Sequence, residues 1–140
     1  MLELSAGALL KPDAARQTNP LVLAFIGDTV FDLYVRTSLA LQGKGNAGAL
    51  HRQSIELVNA RAQAHLARSV FENLAGDEKD IFMRGRNAKS ATVPKNMSVA
   101  DYRQATALEA VLGYLYLTGR TGKIEEILKE ALDADHPIEG

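Results

Sequence analysis

The chain lacks several features that commonly define a protein's chemistry, and each absence narrows its function. It contains no cysteine, which excludes disulfides, thiolate metal sites and cysteine nucleophiles. No apolar stretch reaches about 18 uninterrupted residues, so no segment is predicted to span a membrane. The first residues lack the basic start and long apolar core of a signal peptide. The sequence therefore predicts a soluble protein, which we expect to reside in the cytoplasm.

Charge and length limit the interpretation further. The formal net charge is −1, so a nucleic-acid-binding role would require a local basic patch rather than a generally basic surface. A chain of 140 residues fits one domain with a core large enough to need no covalent staples. We expect an irregular N-terminal segment over residues 1–18, one domain over 19–134 and a tail over 135–140.

The hydrophobic pattern is helical throughout, and no run alternates like a β-strand over a useful length. Asn19 and Pro20 are typical of a helix start, with Asn19 as the cap and Pro20 in the first turn. We therefore predict an all-α fold. The predicted helices span residues 20–41, 49–74, 77–83, 98–118 and 122–134, with loops at 43–48 and 85–97.

Two carboxylates lie inside strongly apolar runs. Asp28 is in the run 21–31, and Glu109 is in the run 105–115. On a helix, residues three, four and seven positions away share a face, and for both acids these neighbours are mainly apolar. Both acids are therefore expected to face apolar packing, where an unpaired charge is costly or is neutralised. A shared divalent cation would remove that cost, which favours a metal-dependent hydrolase.

Structural explanations of the two acids remain open on sequence grounds. The Gly27-Asp28 step could break the helix, with Asp28 capping the helix that follows. Glu109 could pair with Arg103 or another cation, because buried ion pairs without a catalytic role do occur. Periodicity alone does not separate these alternatives from a metal site.

A basic segment directly precedes the predicted Glu109 helix. Residues 84–103 include five basic residues and one acidic residue. Basic and small polar side chains suit phosphate oxygens, and a loop that neutralises several phosphates would bind a polynucleotide with strong salt dependence. An ordinary solvated loop is the alternative, but the adjacency to Glu109 favours the phosphate interpretation. The side chains expected to contact RNA are Arg84, Arg86, Asn87, Lys89 and Lys95.

The same residues resemble a known family. The heptapeptide FIGDTVF at 25–31 resembles the FLGDAVL sequence of the ribonuclease III signature, and LEAVLG at 108–113 resembles a later part of that catalytic domain. The segment RGRNAKSATVPKN at 84–96, followed by DYR at 101–103, is more specific. It is similar to the short bacterial subfamily called Mini-ribonuclease III, and the resemblance covers residues 19–133.

This resemblance implies a homodimeric, all-α ribonuclease III catalytic domain without an appended double-stranded-RNA-binding domain, with which the length agrees. Family members cut double-stranded RNA with Mg²⁺, leaving 5′-phosphate and 3′-hydroxyl ends, and the subfamily trims precursor 23S ribosomal RNA. Ribosomal proteins on that substrate are further candidate partners.

The resemblance also assigns individual residues. Asp28 and Glu109 are implied as catalytic residues and metal ligands, whereas two other carboxylate positions of the larger family hold Ala24 and Thr106 here. Phe25 aligns with a position that inserts into the partner subunit, although ordinary core packing explains it equally well.

Two other function classes stay open. The absence of two of the four family carboxylates favours a catalytically silent domain that binds structured RNA, whereas the retention of Asp28 and Glu109 argues against it. If both acids are merely structural, the chain would be a small helical protein-interaction module.

Overall fold

The computed structural model describes residues 8–43, 45–89 and 93–135, and all regular structure in this part of the chain is helical. The predicted all-α class is confirmed. A single turn of 3-10 helix, Phe71–Asn73, follows the fourth helix. The α-helices in the described residues are α1 (Pro12–Gln17), α2 (Pro20–Gln42), α3 (Ala47–Leu57), α4 (Ala60–Val70), α5 (Gly76–Asn87), α6 (Val99–Leu117) and α7 (Thr121–Asp135). Within the same residues, no helix combines the length and the hydropathy that crossing a bilayer requires.

Helix α6 forms the centre of the fold. It is apolar around most of its circumference, which is the pattern of a helix enclosed by others. Nearly every residue from Ala105 to Leu115 is buried, and α2, α4 and α5 pack around it. Burial of each Leu or Val side chain in this core contributes about 1.5–3 kcal/mol to folding. Glu109 is the single charged residue of the segment 105–115, so its position in this apolar helix needs a specific explanation.

The crossing of α2 and α6 is so close that it requires glycine on both helices. A Cβ built on Gly27 would lie 1.7 Å from the carbonyl oxygen of Glu109, and one built on Gly113 would lie 1.9 Å from the carbonyl oxygen of Leu23. Both obstructing atoms belong to the backbone, so no side-chain movement would relieve the overlap. The two helices can therefore meet at this distance only because neither glycine carries a Cβ.

The start of the chain differs from the prediction. Residues 12–17 of the expected irregular segment form α1, in which Ala15 is completely buried. Pro12 occupies the first turn of this helix, where its missing N–H costs nothing. The backbone N–H groups of Leu9 and Leu10 both donate to the carbonyl oxygen of Leu117, which holds the segment against the end of α6. Residues 1–7 and most of the predicted tail, 136–140, lie outside the described residues.

The predicted helix over 49–74 is two helices instead of one. The break occurs at Asn59, whose side-chain amide donates to the carbonyl oxygen of Glu56 at 2.7 Å, while its Oδ1 accepts from the backbone N–H of Ala62 at 2.8 Å. Asn59 thus pairs with a backbone carbonyl at the end of α3 and caps the start of α4. The apolar stripe continues across this break, so periodicity did not reveal it.

The predicted loop over 85–97 begins too early, because α5 continues to Asn87. Gly85 suggested a helix end, but it lies inside the helix against α6. A Cβ at Gly85 would lie 2.9 Å from the Cβ of Ala110 and 3.1 Å from the Cα of Ala107. The glycine therefore permits close packing of α5 on α6 rather than ending α5. Residues 90–92 of this loop lie outside the described residues.

Two predicted helix starts are confirmed in atomic detail. The side-chain oxygen of Asn19 accepts from the backbone N–H of Leu21 at 2.8 Å, with Pro20 in the first turn of α2. The Ser98 hydroxyl oxygen accepts from the backbone N–H of Asp101 at 3.0 Å and caps α6. These caps define where the two helices that carry Asp28 and Glu109 begin.

Candidate active site at the crossing of α2 and α6

The close helix crossing brings Asp28 and Glu109 together. Gly27, the residue before Asp28, lies directly against the backbone of Glu109. The side chains of the two acids consequently meet, and they are in hydrogen-bonding contact. Carboxylates that are 81 residues apart in the sequence thus share one small region, which helix packing assembles from two separate segments.

The surroundings of the two acids differ from the prediction that both face apolar packing. Glu109 is partly buried, whereas Asp28 is exposed on the isolated chain. The apolar run around Asp28 does not indicate burial, because α2 also carries apolar residues on its exposed side, including Val22 and Phe25. A helix that is apolar on two sides gives no clear periodicity from which to tell inside from outside.

The structural alternatives for both acids are wrong in the described part of the chain. Helix α2 runs without interruption through Gly27 and Asp28, so Asp28 does not cap a following helix. Glu109 forms no ion pair with Arg103 or with any other described cation. Its described polar neighbour is instead another acid.

The pKa of the Glu109 carboxyl is raised from its ordinary value of 4.5 to about 9, mainly because the group is buried and also because of the hydrogen bond with Asp28 and the negative charge of Asp28. Two carboxylates that lie in contact cannot both ionise without a compensating positive charge. Near neutral pH, Glu109 therefore keeps its proton and donates it to Asp28 when no cation is bound.

The chemistry of this pair fits a divalent cation. Carboxylate oxygens are the ligands that Mg²⁺ prefers, and proteins often bind it through only one or two carboxylates. In the part of the chain that the structure describes, no group of three or more His, Asp or Glu side chains is arranged to hold a metal. Asp28 and Glu109 would therefore supply the protein ligands, and the cation would replace the proton between them.

The two positions where the larger family has carboxylates lie beside this pair. Ala24, one turn before Asp28, and Thr106, three residues before Glu109, are both buried. The Thr106 hydroxyl donates to the carbonyl oxygen of Tyr102 at 2.9 Å, so its proton is used within its own helix. Neither side chain adds negative charge to the site.

The residues expected to contact RNA are divided between α5 and the segment after it. Arg84, Arg86 and Asn87 lie on α5 instead of in a loop. The guanidinium of Arg84 donates to the carbonyl oxygen of Arg16, so Arg84 links α5 to α1.

Beyond α5, Lys89 and Lys95 are both exposed and available to a polyanion. Lys95 lies in a turn in which Asn96 adopts a left-handed conformation with φ of 68°. A groove of about 260 Å³ separates the end of α5 from the start of α6. Lys89 and Arg103 line this groove. Arg103 is one of the five basic residues of the segment 84–103, but it is not among the residues predicted from the sequence to contact RNA.

Comparison with known proteins identifies the family that carries this arrangement. The model of the family described as Ribonuclease III domain matches residues 21–120. A solved crystal structure of a Fusobacterium nucleatum protein superimposes with a TM-score of 0.78 at 32% identity, covering 86% of this chain and 96% of that one.

Sequence relatives narrow the assignment. A Mini-ribonuclease 3 of Thermoanaerobacter sp. is 45% identical over 121 residues, covering 86% of this chain and 85% of the relative. A Mini-ribonuclease 3 of Staphylococcus aureus is 43% identical over 116 residues, covering 81% and 87%. This chain belongs to the ribonuclease III family and, within it, to the Mini-ribonuclease 3 group. It is accordingly an endoribonuclease, which excludes the interaction-module alternative.

The raised pKa of Glu109 predicts how stability depends on pH in buffer without divalent cations. The folded protein holds the Glu109 proton more tightly than the unfolded chain does. The protonated Glu109 carboxyl therefore contributes to the free energy of unfolding. This stabilisation is complete below about pH 4.5 and is lost as the pH rises toward about 9. Thermal unfolding of the wild type should accordingly show a midpoint that falls across this range, and Glu109→Gln should show a flatter profile.

Glu126→Gln, which changes an exposed acid on α7, is the matched control and should follow the wild type. Added Mg²⁺ should raise the midpoint of the wild type most at high pH, where the two carboxylates repel each other. Parallel profiles for the wild type and Glu109→Gln would show that the raised pKa is absent.

Proposed function

We propose that this endoribonuclease cuts double-stranded RNA with Mg²⁺ held by Asp28 and Glu109, and that it matures the ends of precursor 23S ribosomal RNA. The observation that carries the catalytic part is the contact between the two carboxylates at the glycine crossing. The ribosomal RNA substrate is supported by the resemblance of the 84–103 segment to the Mini-ribonuclease III pattern.

A bound Mg²⁺ would supply a water of lowered pKa and would neutralise charge on the attacked phosphodiester. The protein's own contribution is positioning. Asp28 is exposed, so a phosphate could reach it, whereas Glu109 is held by a backbone that packs against Gly27. Rigid backbone support of this kind keeps a reacting group within the narrow geometry that catalysis needs. The expected products carry a 5′-phosphate and a 3′-hydroxyl.

The basic residues next to the carboxylates suit the backbone of an A-form duplex. RNA duplexes are recognised mainly by shape, phosphates and 2′-hydroxyl groups, since their deep major groove is inaccessible to side chains. Arg86, Lys89 and Lys95 are the proposed phosphate contacts, with Asn87 as a polar donor. Arg84 contributes mainly by fixing α5 through its hydrogen bond to Arg16.

The exposed face of α2 supports a homodimer. Val22, Phe25 and Leu33 lie on one side of this helix, and their exposed fractions are 51%, 77% and 55%. Core packing within one chain therefore does not explain Phe25, and contiguous exposed apolar surface of this kind is typical of an interface. A closed two-fold dimer would place two sites at related positions, one for each RNA strand.

Replacement of Asp28 by Asn should abolish cleavage and leave folding intact. The side chain keeps its shape but loses the charge that would bind Mg²⁺, so we expect cleavage of a long RNA duplex to fall at least about a hundredfold. Asp32→Asn is the matched control, because Asp32 lies one turn further along α2 and pairs with Arg36 at 2.9 Å. Duplex RNA binding and the thermal midpoint should be retained in both variants.

Cleavage by Asp28→Asn at the wild-type rate would contradict the metal site. Duplex binding by the wild type without Mg²⁺-dependent cleavage would contradict the proposed function. A chelator added to the wild-type reaction shows whether the cutting requires a metal ion.

A charge at Phe25 should separate the subunits. Phe25→Glu would place a carboxylate in the proposed interface, where an unpaired charge is costly to desolvate. We expect sedimentation to show a dimer for the wild type at micromolar concentration and a monomer for the variant, which should lose double-strand cutting. Leu41→Glu is the control, since Leu41 is 83% exposed near the end of α2, beyond the Val22–Leu33 face. A monomeric wild type that cuts both strands would contradict the dimer.

A further inference from the structure

The groove between α5 and α6 has two cationic residues on its walls. Lys89 follows the end of α5 and Arg103 lies in the second turn of α6, and both side chains are exposed. Neither forms an ion pair with a described residue. The remaining lining consists of apolar and small polar residues, namely Gly85, Ala88, Val93, Val99, Tyr102 and Thr106.

The acidic residue of the basic segment is already neutralised by another residue. Asp101, the single acid between residues 84 and 103, accepts a hydrogen bond from Arg68 at 2.9 Å. That hydrogen bond lowers the pKa of the Asp101 carboxyl below its usual range. Arg103, only two residues away, therefore does not have Asp101 as its ion-pair partner, and it lines the groove.

Helix α6 connects the groove to the carboxylate pair. Thr106, which lines the groove, lies three residues after Arg103 and three residues before Glu109. Residues three apart on a helix are surface neighbours, and six residues correspond to about 9 Å along the helix axis. Six residues also turn the helix by about 240°, so Arg103 and Glu109 lie on neighbouring faces of α6 with their Cα atoms about 10 Å apart. This distance is on the scale of one or two nucleotide steps.

We propose that Lys89 and Arg103 hold a backbone phosphate one or two nucleotides from the phosphate that is cut, and so determine where the strand is cut. This inference rests on the proposed function. The guanidinium of Arg103 can bind two phosphate oxygens at once, which gives direction as well as charge, and Lys89 adds a point charge from the opposite wall. Arg103 is then a positioning residue, since it acts on a phosphate next to the reacting one.

A duplex RNA with one neutral methylphosphonate link tests this assignment. The link is moved through the three nucleotides on each side of the cut, and kcat/KM is measured for each duplex. For the wild type we expect about a tenfold loss at one position, because a charge-assisted hydrogen bond is lost there. Arg103→Gln should lose about the same factor on the unmodified duplex and show no additional loss with the link at that position.

Lys129→Gln supplies the matched control, because Lys129 is an exposed cation on α7, away from the groove. Lys129→Gln should cut the unmodified duplex with the kcat/KM of the wild type. It should also show the same loss of kcat/KM as the wild type when the link is at the sensitive position. A second readout is the distribution of cut positions, which Arg103→Gln should broaden and Arg103→Lys should partly restore. If Arg103 had a purely structural role, Arg103→Gln would lower kcat/KM by the same factor wherever the link is placed.

Two outcomes would overturn the inference, and they are distinguishable. If the wild type cuts duplex RNA but the losses from Arg103→Gln and from the link multiply at every position, Arg103 does not hold a phosphate near the cut. If the wild type does not cut duplex RNA with Mg²⁺ at all, the proposed function fails and this inference fails with it. Thermal unfolding of Arg103→Gln at the wild-type midpoint establishes that the variant is folded.

Discussion

The backbone contact between α2 and α6 is the constraint on which the candidate site depends. Gly27 and Gly113 each lie against a carbonyl of the opposite helix, and any larger residue at either position would push the helices apart. The residue after Gly27 is Asp28, and the carbonyl that Gly27 meets belongs to Glu109. The same contact that closes the core therefore places the two carboxylates beside each other, without depending on flexible side chains to bring them together.

The contact between Asp28 and Glu109 has an electrostatic consequence that explains why the site favours a divalent cation. One positive charge must lie between them, and in the absence of a cation it is the proton that Glu109 retains. Ala24 and Thr106 add no further charge, so the pair would bind Mg²⁺ more weakly than a site with four carboxylates. The phosphate at the cut, positioned by a neighbouring phosphate that Lys89 and Arg103 hold, would then contribute to holding the metal. The active site in this account is assembled by the enzyme and its RNA together.

Much of this arrangement could be predicted from the sequence, because it depends on local patterns. Caps at Asn19 and Ser98 mark helix starts through their own side chains, and the all-α class follows from hydrophobic periodicity. The pairing of Asp28 with Glu109 was suggested because carboxylates in apolar runs are rare enough to need a reason. The resemblance to the ribonuclease III signature assigns a role to the same two residues, without knowledge of their contact in the fold.

What could not be predicted depends on contacts between distant segments. The sequence places Gly85 in a loop, because sequence alone does not distinguish a glycine that permits close helix packing from one that ends a helix. Asn59 divides a predicted helix without interrupting its apolar stripe. The exposure of Asp28 could not be derived because α2 is apolar on both its core side and the side that we assign to a partner subunit. Each of these features is set by which helix lies opposite, and local patterning does not contain that information.

The central claim is that a divalent cation replaces a proton held between Asp28 and Glu109. The most direct measurement is titration calorimetry of the wild-type protein with Mg²⁺ near neutral pH, repeated in buffers of different ionisation enthalpy. Metal binding to a protonated ligand releases that proton, so the account predicts release of about one proton for each cation bound. Asp32→Asn should release the same number, since Asp32 pairs with Arg36 and not with the candidate site. Mg²⁺ binding without proton release would contradict the account.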